Sequence, residues 1–160
     1  MGSRTIAKLT IETPEEMHEL GERLAQIFEA GDLVLLTGPL GAGKTTLTRG
    51  VGEAMGAIGN VSSPTFVIAR THRRVGGGPN LVHVDAYRLG TAAELDDLDI
   101  DFENSITLVE WGKGYTDGIA ENWLEVVIER DHTGETETRK VTIEGHGDRW
   151  ASTVFEAGSK

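Results

Sequence analysis

The spacing of apolar residues along the chain switches between two residues and three to four, which predicts strands interleaved with helices. Residues 5–11 alternate apolar and polar positions, as in a strand with one buried face. From Met17 to Phe28 the apolar residues follow helical spacing, and Gly31 is expected to end this helix. Residues 13–16 predict its start, because they combine an N-cap threonine, a proline at the first helical position and a carboxylate at the third.

The next segment reads as a strand, a glycine-rich loop and a helix. Residues 33–37 are almost wholly apolar, which is typical of a strand covered on both faces. They lead directly into the glycine-rich run 38–45. From Lys44 onward, one face of a helix is marked by apolar residues at helical spacing, and the glycine-rich segment 56–59 is expected to end it.

The rest of the chain predicts a sheet with a C-terminal β-hairpin. Further strands are expected at residues 65–69, 81–85, 105–109, 124–129 and 140–144. A turn at 76–79 would make the first two an antiparallel pair, and a capping box at 91–94 would open a short helix. We therefore expect one α/β domain over residues 1–160, with a mixed, mainly parallel sheet flanked by helices.

Length and charge narrow the function. The 160 residues suit one core, and a formal net charge of -11 repels the nucleic-acid backbone, so direct, tight RNA or DNA binding is disfavoured. The absence of cysteine excludes disulfides, thiolate metal sites and cysteine nucleophiles. No apolar stretch has the length of a membrane span or the form of a signal peptide, so a cytoplasmic protein without membrane contact is expected.

The glycine-rich run matches the P-loop pattern, Gly-x-x-x-x-Gly-Lys-Thr. Its glycines allow successive amides to face phosphate oxygens, Lys44 brings a positive charge, and Thr45 offers a hydroxyl to magnesium. The predicted ATP-binding residues are Gly38, Leu40, Gly41, Ala42, Gly43, Lys44, Thr45 and Thr46. The alternative is a strand-to-helix turn that binds nothing, and the apolar strand before the loop and the amphipathic helix after it argue against that alternative.

Two carboxylates are candidates for the magnesium and hydrolysis site. Asp85 and Glu110 each follow an apolar strand, and a P-loop protein needs a carboxylate delivered from the carboxyl end of a neighbouring strand. For either residue alone, a solvated charge at the edge of the sheet is the alternative. Two such strand ends beside a P-loop favour a functional role for at least one of them.

Other polar groups give weaker signals. Residues 63–65 (Ser-Pro-Thr) could sense the γ-phosphate or position water, but spacing alone favours a turn that starts a strand. The basic cluster at 70–74 could meet phosphate or an acidic partner, and an exposed strand end is favoured. The five histidines show no spacing shared with carboxylates that indicates a metal site, so they are interpreted as structural. Trp111 could cover the nucleotide or fill the core, with the core slightly favoured.

Taken together, four segments resemble the bacterial TsaE (YjeE) family, the ATPase needed for threonylcarbamoyl modification of tRNA adenosine beside the anticodon. The segments are residues 38–46, 63–66, 83–88 and 109–111. The resemblance covers roughly residues 13–130, and the tail after about residue 145 receives no role. The order and spacing of the four segments are far more specific to this family than the P-loop alone.

The resemblance implies roles for the strong candidates. Thr45 and Glu110 would bind magnesium, Lys44 would hold phosphate, and Asp85 would be needed for hydrolysis. Whether Asp85 or Thr65 orients the attacking water stays open.

The resemblance also implies that Thr65 and Trp111 belong to the site and that Thr13 contacts the nucleotide base, although an N-cap explains Thr13 equally well. Pro39 departs from the family pattern, in which Asp is frequent, and is expected to point away from the phosphates.

Family members work with the TsaD and TsaB proteins, so the resemblance implies docking on that pair and an ATP hydrolysis cycle that resets it, with tRNA held only indirectly. Two other functions stay open. A small-molecule or nucleoside kinase would need an arginine-rich lid and an acceptor pocket. A nucleotide-dependent binding module would hold ATP without releasing phosphate.

Overall fold

The computed structural model of the chain describes residues 3–39, 42–59, 61, 69–86, 98–110, 121–130, 138–153 and 155. The strands are β1 (Ser3–Ile11), β2 (Leu33–Thr37), β3 (Ala69–His72), β4 (Asn80–Asp85), β5 (Ser105–Glu110), β6 (Trp123–Arg130) and β7 (Arg139–His146). The α-helices are α1 (Pro14–Ala25) and α2 (Lys44–Met55). The predicted α/β class is confirmed. The helix predicted to open at 91–94, and residues 65–68 of the predicted strand 65–69, lie outside the described residues.

The seven strands of the described residues form one mixed sheet in the order β1-β7-β6-β2-β5-β4-β3. The central strands β6, β2, β5 and β4 pair in parallel, and β1, β7 and β3 join by antiparallel pairing. The predicted antiparallel pairing across the turn at 76–79 is confirmed, but β3 runs three residues past the end predicted at Ala69. The C-terminal pair β6–β7 is also confirmed. Because parallel strands run in one direction, the carboxyl ends of β2, β4 and β5 lie at the same edge of the sheet.

The start of α1 is the predicted N-cap. Thr13 Oγ1 accepts a hydrogen bond from the Glu16 N–H at 3.1 Å. The Glu16 carboxylate in turn accepts one from the Glu12 N–H at 2.7 Å. These bonds satisfy backbone donors that have no partner inside the helix, so the local sequence is sufficient to set this boundary.

The end of α1 differs from the prediction. The helix ends at Ala25, whereas helical spacing of apolar residues extends to Phe28. The carbonyl of Ile27 instead accepts a hydrogen bond from Arg149 Nη2 at 2.8 Å, a contact with the far end of the chain. Phe28 is still buried. The apolar spacing therefore reports burial here, and the chain just beyond the helix is held by a tertiary contact.

Both faces of the sheet carry a core. Under α1 and α2 the larger core includes Leu24, Leu47 and Leu108. On the opposite face a smaller one includes Leu35 and Val84. Strand residues therefore alternate between the two cores, as expected for central strands buried on both faces.

The C-terminal region belongs to the larger core. Trp150 is 1% exposed and lies in the larger core, although no pattern in the sequence indicates a role for the tail. Its neighbour Arg149 pairs with Asp32, at 3.0 Å from Nη2 to Oδ2. Among the described residues no helix is long and apolar enough to cross a membrane.

The two helices approach each other through glycine. A Cβ atom at Gly50 would lie 2.1 Å from the carbonyl oxygen of His18, and one at Gly21 would lie 2.1 Å from that of Leu47. No side chain fits at these distances without moving a backbone. The spacing of α1 and α2, and with it the position of the first turn of α2, therefore depends on these two residues.

We expect Gly50→Ala to destabilise the protein by about 1–3 kcal/mol, because the added methyl forces the helices apart. Alanine is the better helix former by about 1 kcal/mol, so propensity alone predicts the opposite sign. Urea unfolding measures the change. Arg49→Ala, at an exposed position of the same helix, is the control and should stay within about 0.5 kcal/mol of the original protein. A Gly50→Ala protein as stable as the original contradicts the close approach.

Candidate functional site

The glycine-rich loop joins β2 to the first turn of α2. Gly43 has φ of 113° and is the N-cap residue of α2, a left-handed conformation that favours glycine. Among the described residues no side chain caps this helix end, and its first turn contains no acidic residue. The amides of that turn and the positive end of the helix dipole are therefore suited to an anion. Thr45 and Thr46 lie in the same turn, each partly buried.

Lys44 lies inside the loop with 5% of its surface exposed. Its Nζ donates hydrogen bonds to the carbonyl oxygens of Gly38 at 2.6 Å and Pro39 at 2.9 Å. Burial lowers the pKa of Lys44, and the negative charges of Glu110 and Asp85 oppose that shift. The ammonium group therefore interacts with the P-loop backbone and with both candidate carboxylates.

Asp85 and Glu110 end neighbouring parallel strands and are register partners. Leu81 and Leu108 lie in the core under the helices, and side chains two or four residues further along a strand share that face. Both carboxylates therefore point to the side of the sheet that carries α2. Glu110 is 4% exposed and Asp85 is partly buried. The structure brings together Lys44 and the two carboxylates selected from sequence, while their chemical roles stay predictions.

His83 is a site neighbour that the sequence analysis missed. A hydrogen bond of 2.6 Å joins its Nε2 to Glu110 Oε2, and both side chains are buried. The interpretation of the histidines as structural stays a prediction, and this contact places His83 beside a candidate magnesium ligand. His83 lies two residues before Asp85 on β4, so both side chains are on the same face of the sheet. The neighbouring parallel strand β5 places Glu110 on that face as well.

A small cavity of about 130 Å³ adjoins the loop on the side of β1. It is lined by Thr13, Gly43, Thr46 and Arg139 together with apolar side chains. Thr13 therefore lines a cavity beside the loop in addition to capping α1, and its contact with a nucleotide base stays a prediction.

Arg139 was missed because it follows the region covered by the resemblance. It is 8% exposed, and its Nε donates to the Ala42 carbonyl at 3.3 Å. Antiparallel pairing of β7 with β1 carries it to the P-loop, where Ile11 is its register partner. No local pattern in the sequence indicates this contact.

Four predicted site residues lie outside the described residues and stay predictions. They are Leu40, Gly41, Thr65 and Trp111.

Comparison with known proteins identifies relatives across most of the chain. The family model described as "Threonylcarbamoyl adenosine biosynthesis protein TsaE" matches residues 11–141. The tRNA threonylcarbamoyladenosine biosynthesis protein TsaE of Streptomyces coelicolor is 55% identical over 141 residues, covering 85% of this chain and 95% of that protein. The TsaE protein of Bacillus subtilis is 36% identical over 138 residues, covering 86% and 84%. The crystal structure of Bacillus subtilis YdiB has a TM-score of 0.72 at 30% identity, covering 94% of this chain and 91% of that one.

We expect His83 and Glu110 to be energetically coupled. His83→Leu leaves a buried carboxylate without this hydrogen bond and should destabilise the protein by about 1–3 kcal/mol. In a Glu110→Gln background, His83→Leu should lower the free energy of unfolding by less, because residue 110 no longer carries a charge. Urea unfolding of the two single variants and the double variant measures the coupling. Strictly additive effects contradict a significant contribution of this hydrogen bond to stability.

Proposed function

This chain belongs to the TsaE family of threonylcarbamoyl adenosine biosynthesis proteins, and from that premise we propose that it binds ATP with magnesium at the P-loop and hydrolyses it. The family takes part in tRNA threonylcarbamoyladenosine biosynthesis. One observation carries the ATPase proposal: the ammonium of Lys44 is held in the P-loop and interacts with Glu110 and Asp85 at the ends of two parallel strands.

Phosphate binding would use groups that are already oriented. The uncapped first turn of α2 presents amides and a positive dipole end, and Lys44 Nζ would exchange the carbonyl oxygens of Gly38 and Pro39 for phosphate oxygens. Charge-assisted hydrogen bonds of this kind contribute more than neutral ones. The cavity beside Thr13 and Arg139 would accept the base.

Magnesium fits the donor set at the strand ends. The hydroxyl of Thr45 and the carboxylate of Glu110 are the hard oxygen ligands that this ion prefers. One ammonium against two carboxylates leaves these three charges net negative, so an anionic polyphosphate requires a cation there. When bound, the ion would neutralise phosphate charge, and His83 would hold the Glu110 carboxylate in place through the 2.6 Å hydrogen bond.

For hydrolysis, a group at the site has to orient water towards the γ-phosphate. Asp85 is suited by its place beside Glu110 at the end of β4, and Thr65 is the alternative implied by the resemblance. Lys44 and the loop amides would stabilise the charge that develops on the phosphate oxygens.

The proposed partners are the TsaD and TsaB proteins. The chain would dock on that pair, and its hydrolysis cycle would reset the complex between turnovers. The net charge of -11 agrees with tRNA being held by a partner rather than by this chain. A role in tRNA modification also agrees with the cytoplasmic location expected from the sequence.

The kinase alternative needs an arginine-rich lid, for which the basic cluster at 70–74 is the candidate, and the position of Arg74 does not suit a lid over the P-loop. Arg74 Nε donates to the Met55 carbonyl at 2.9 Å, and Val75 N–H donates to the Gly56 carbonyl at 2.8 Å. These contacts attach the β3–β4 turn to the C-terminal end of α2. The P-loop lies at the other end of this 12-residue helix, about 18 Å away at 1.5 Å per residue.

The direct test is multiple-turnover threonylcarbamoylation of tRNA by TsaD, TsaB and the enzyme that makes their adenylate donor. Product should continue to accumulate only with the intact protein and ATP. Glu110→Ala should stop accumulation after the first turnovers, while Glu19→Ala, at an exposed position of α1, should act like the original protein. Equal turnover with and without the protein contradicts the proposed role, and full activity of Glu110→Ala contradicts the proposed magnesium site.

Nucleotide affinity should fall as the pH rises, starting below the pH at which an ordinary lysine loses its proton. Burial lowers the pKa of Lys44, and only the protonated form attracts phosphate, so affinity is complete below this pKa and lost above it. Calorimetric titration with ADP from neutral to alkaline pH measures the decline. Lys44→Arg keeps its charge over this range, so an equal decline in that variant contradicts the assignment to Lys44.

A further inference from the structure

Three potential metal ligands lie together on β6 and β7, outside the set of residues assigned to the nucleotide site. Glu125 and Glu144 are directly paired across these strands, and His146 follows Glu144 by two residues, on the same face. The residues that alternate with them, Leu124 and Ile143, lie in the core under the helices. The three side chains therefore occupy the opposite face of the sheet from α2.

Their geometry is close to that of a coordination site. One histidine nitrogen and one oxygen from each carboxylate all lie within 4.8 Å of one another. Ligand atoms on a tetrahedral zinc ion, with bonds of about 2.1 Å, are about 3.4 Å apart. Small side-chain rotations would bring the three ligand atoms from within 4.8 Å of one another to the separation of about 3.4 Å that a bound zinc ion requires. Glu125 is 5% exposed, so one carboxylate of the group is withdrawn from bulk water.

An unsatisfied buried nitrogen also indicates a missing ligand. His146 Nε2 is buried and, among the described residues, has no hydrogen-bond partner. Leaving such a group unpaired is unfavourable, and an ion bound by this nitrogen would give it a partner. A carboxylate cluster alone would attract protons or any cation, whereas an imidazole beside it favours a particular class of metal.

Neighbouring residues hold the ligands in place. The His146 ring stacks on Trp123, with centroids 4.5 Å apart and an interplanar angle of 11°. Glu125 Oε2 accepts a hydrogen bond from Thr37 Oγ1 at 2.7 Å. Contacts of this kind orient ligands in metal sites from outside the coordination sphere.

We propose that Glu125, Glu144 and His146 bind a divalent first-row transition-metal ion, with Zn²⁺ as its representative. The mixed nitrogen and oxygen donors suit such an ion better than magnesium, which prefers oxygen ligands alone. Three protein ligands leave a fourth position for water. From sequence the histidines were interpreted as structural, and we depart from that interpretation for His146 because Glu144 and His146 lie on one face of β7 beside Glu125.

The test is a calorimetric titration of the metal-stripped full chain with Zn²⁺ in the presence of excess Mg²⁺, which occupies sites made only of oxygen. We expect one Zn²⁺ per chain. His146→Ala and Glu144→Gln should each weaken binding at least about ten-fold, since even residues outside the coordination sphere contribute about 10–100-fold. Glu129→Gln removes an exposed carboxylate from the same face of β6 and should leave affinity unchanged.

A second readout reports the location of the ion. Because Trp123 stacks on His146, Co²⁺ bound at the site should quench Trp123 emission, and Trp123→Phe should remove that part of the quenching. The unfolding midpoint of each metal-free variant shows whether it folds, so a variant that does not fold is replaced by the other one. Absence of binding with excess Mg²⁺, or binding that His146→Ala and Glu144→Gln both retain, overturns the proposal.

Discussion

Parallel pairing of β2, β5 and β4 is the constraint on which the candidate nucleotide site depends. It places the carboxyl ends of three strands at one edge of the sheet, where β2 leads into the P-loop and β5 and β4 end at Glu110 and Asp85. These groups are far apart in the chain and need no direct contact to be brought together. The sheet supplies their proximity, and the close approach of α1 and α2 through Gly21 and Gly50 then fixes the first turn of α2.

The buried charges at this edge depend on one another. Lys44 is almost completely withdrawn from water, and burial favours its neutral form, while Glu110 and Asp85 favour the charged form. The loop carbonyls and His83 supply the hydrogen bonds that buried charged groups require. Such a cluster is costly to bury, so its presence beside an uncapped helix end favours a role in binding anionic ligands over a purely structural one.

Features determined by neighbouring residues in the sequence could be predicted, and features that depend on contacts between distant segments could not. The N-cap at Thr13 and the acidic strand ends at Asp85 and Glu110 were predictable, because a few adjacent residues determine them. Arg139 was not, because its position beside Ala42 follows from the register between β7 and β1.

Long-range contacts explain the other differences. Just beyond the early end of α1, the Ile27 carbonyl accepts a hydrogen bond from Arg149, near the far end of the chain. The pairing of His83 with Glu110 and the approach of Glu125 to Glu144 both need the order of strands in the sheet. Alternation along a strand could have shown which face each of these side chains occupies. It could not show which strand lies next to it, and therefore could not identify the partner residue.

The central claim is that the P-loop and Glu110 hold one nucleotide and one magnesium ion in a shared site. Calorimetric titration with ATP, with and without Mg²⁺, tests it most directly. We predict one nucleotide per chain, tighter binding when Mg²⁺ is present, and loss of that Mg²⁺-dependent gain in Glu110→Gln while binding without the metal persists. An affinity that does not respond to Mg²⁺, or a gain that survives in Glu110→Gln, would contradict the account.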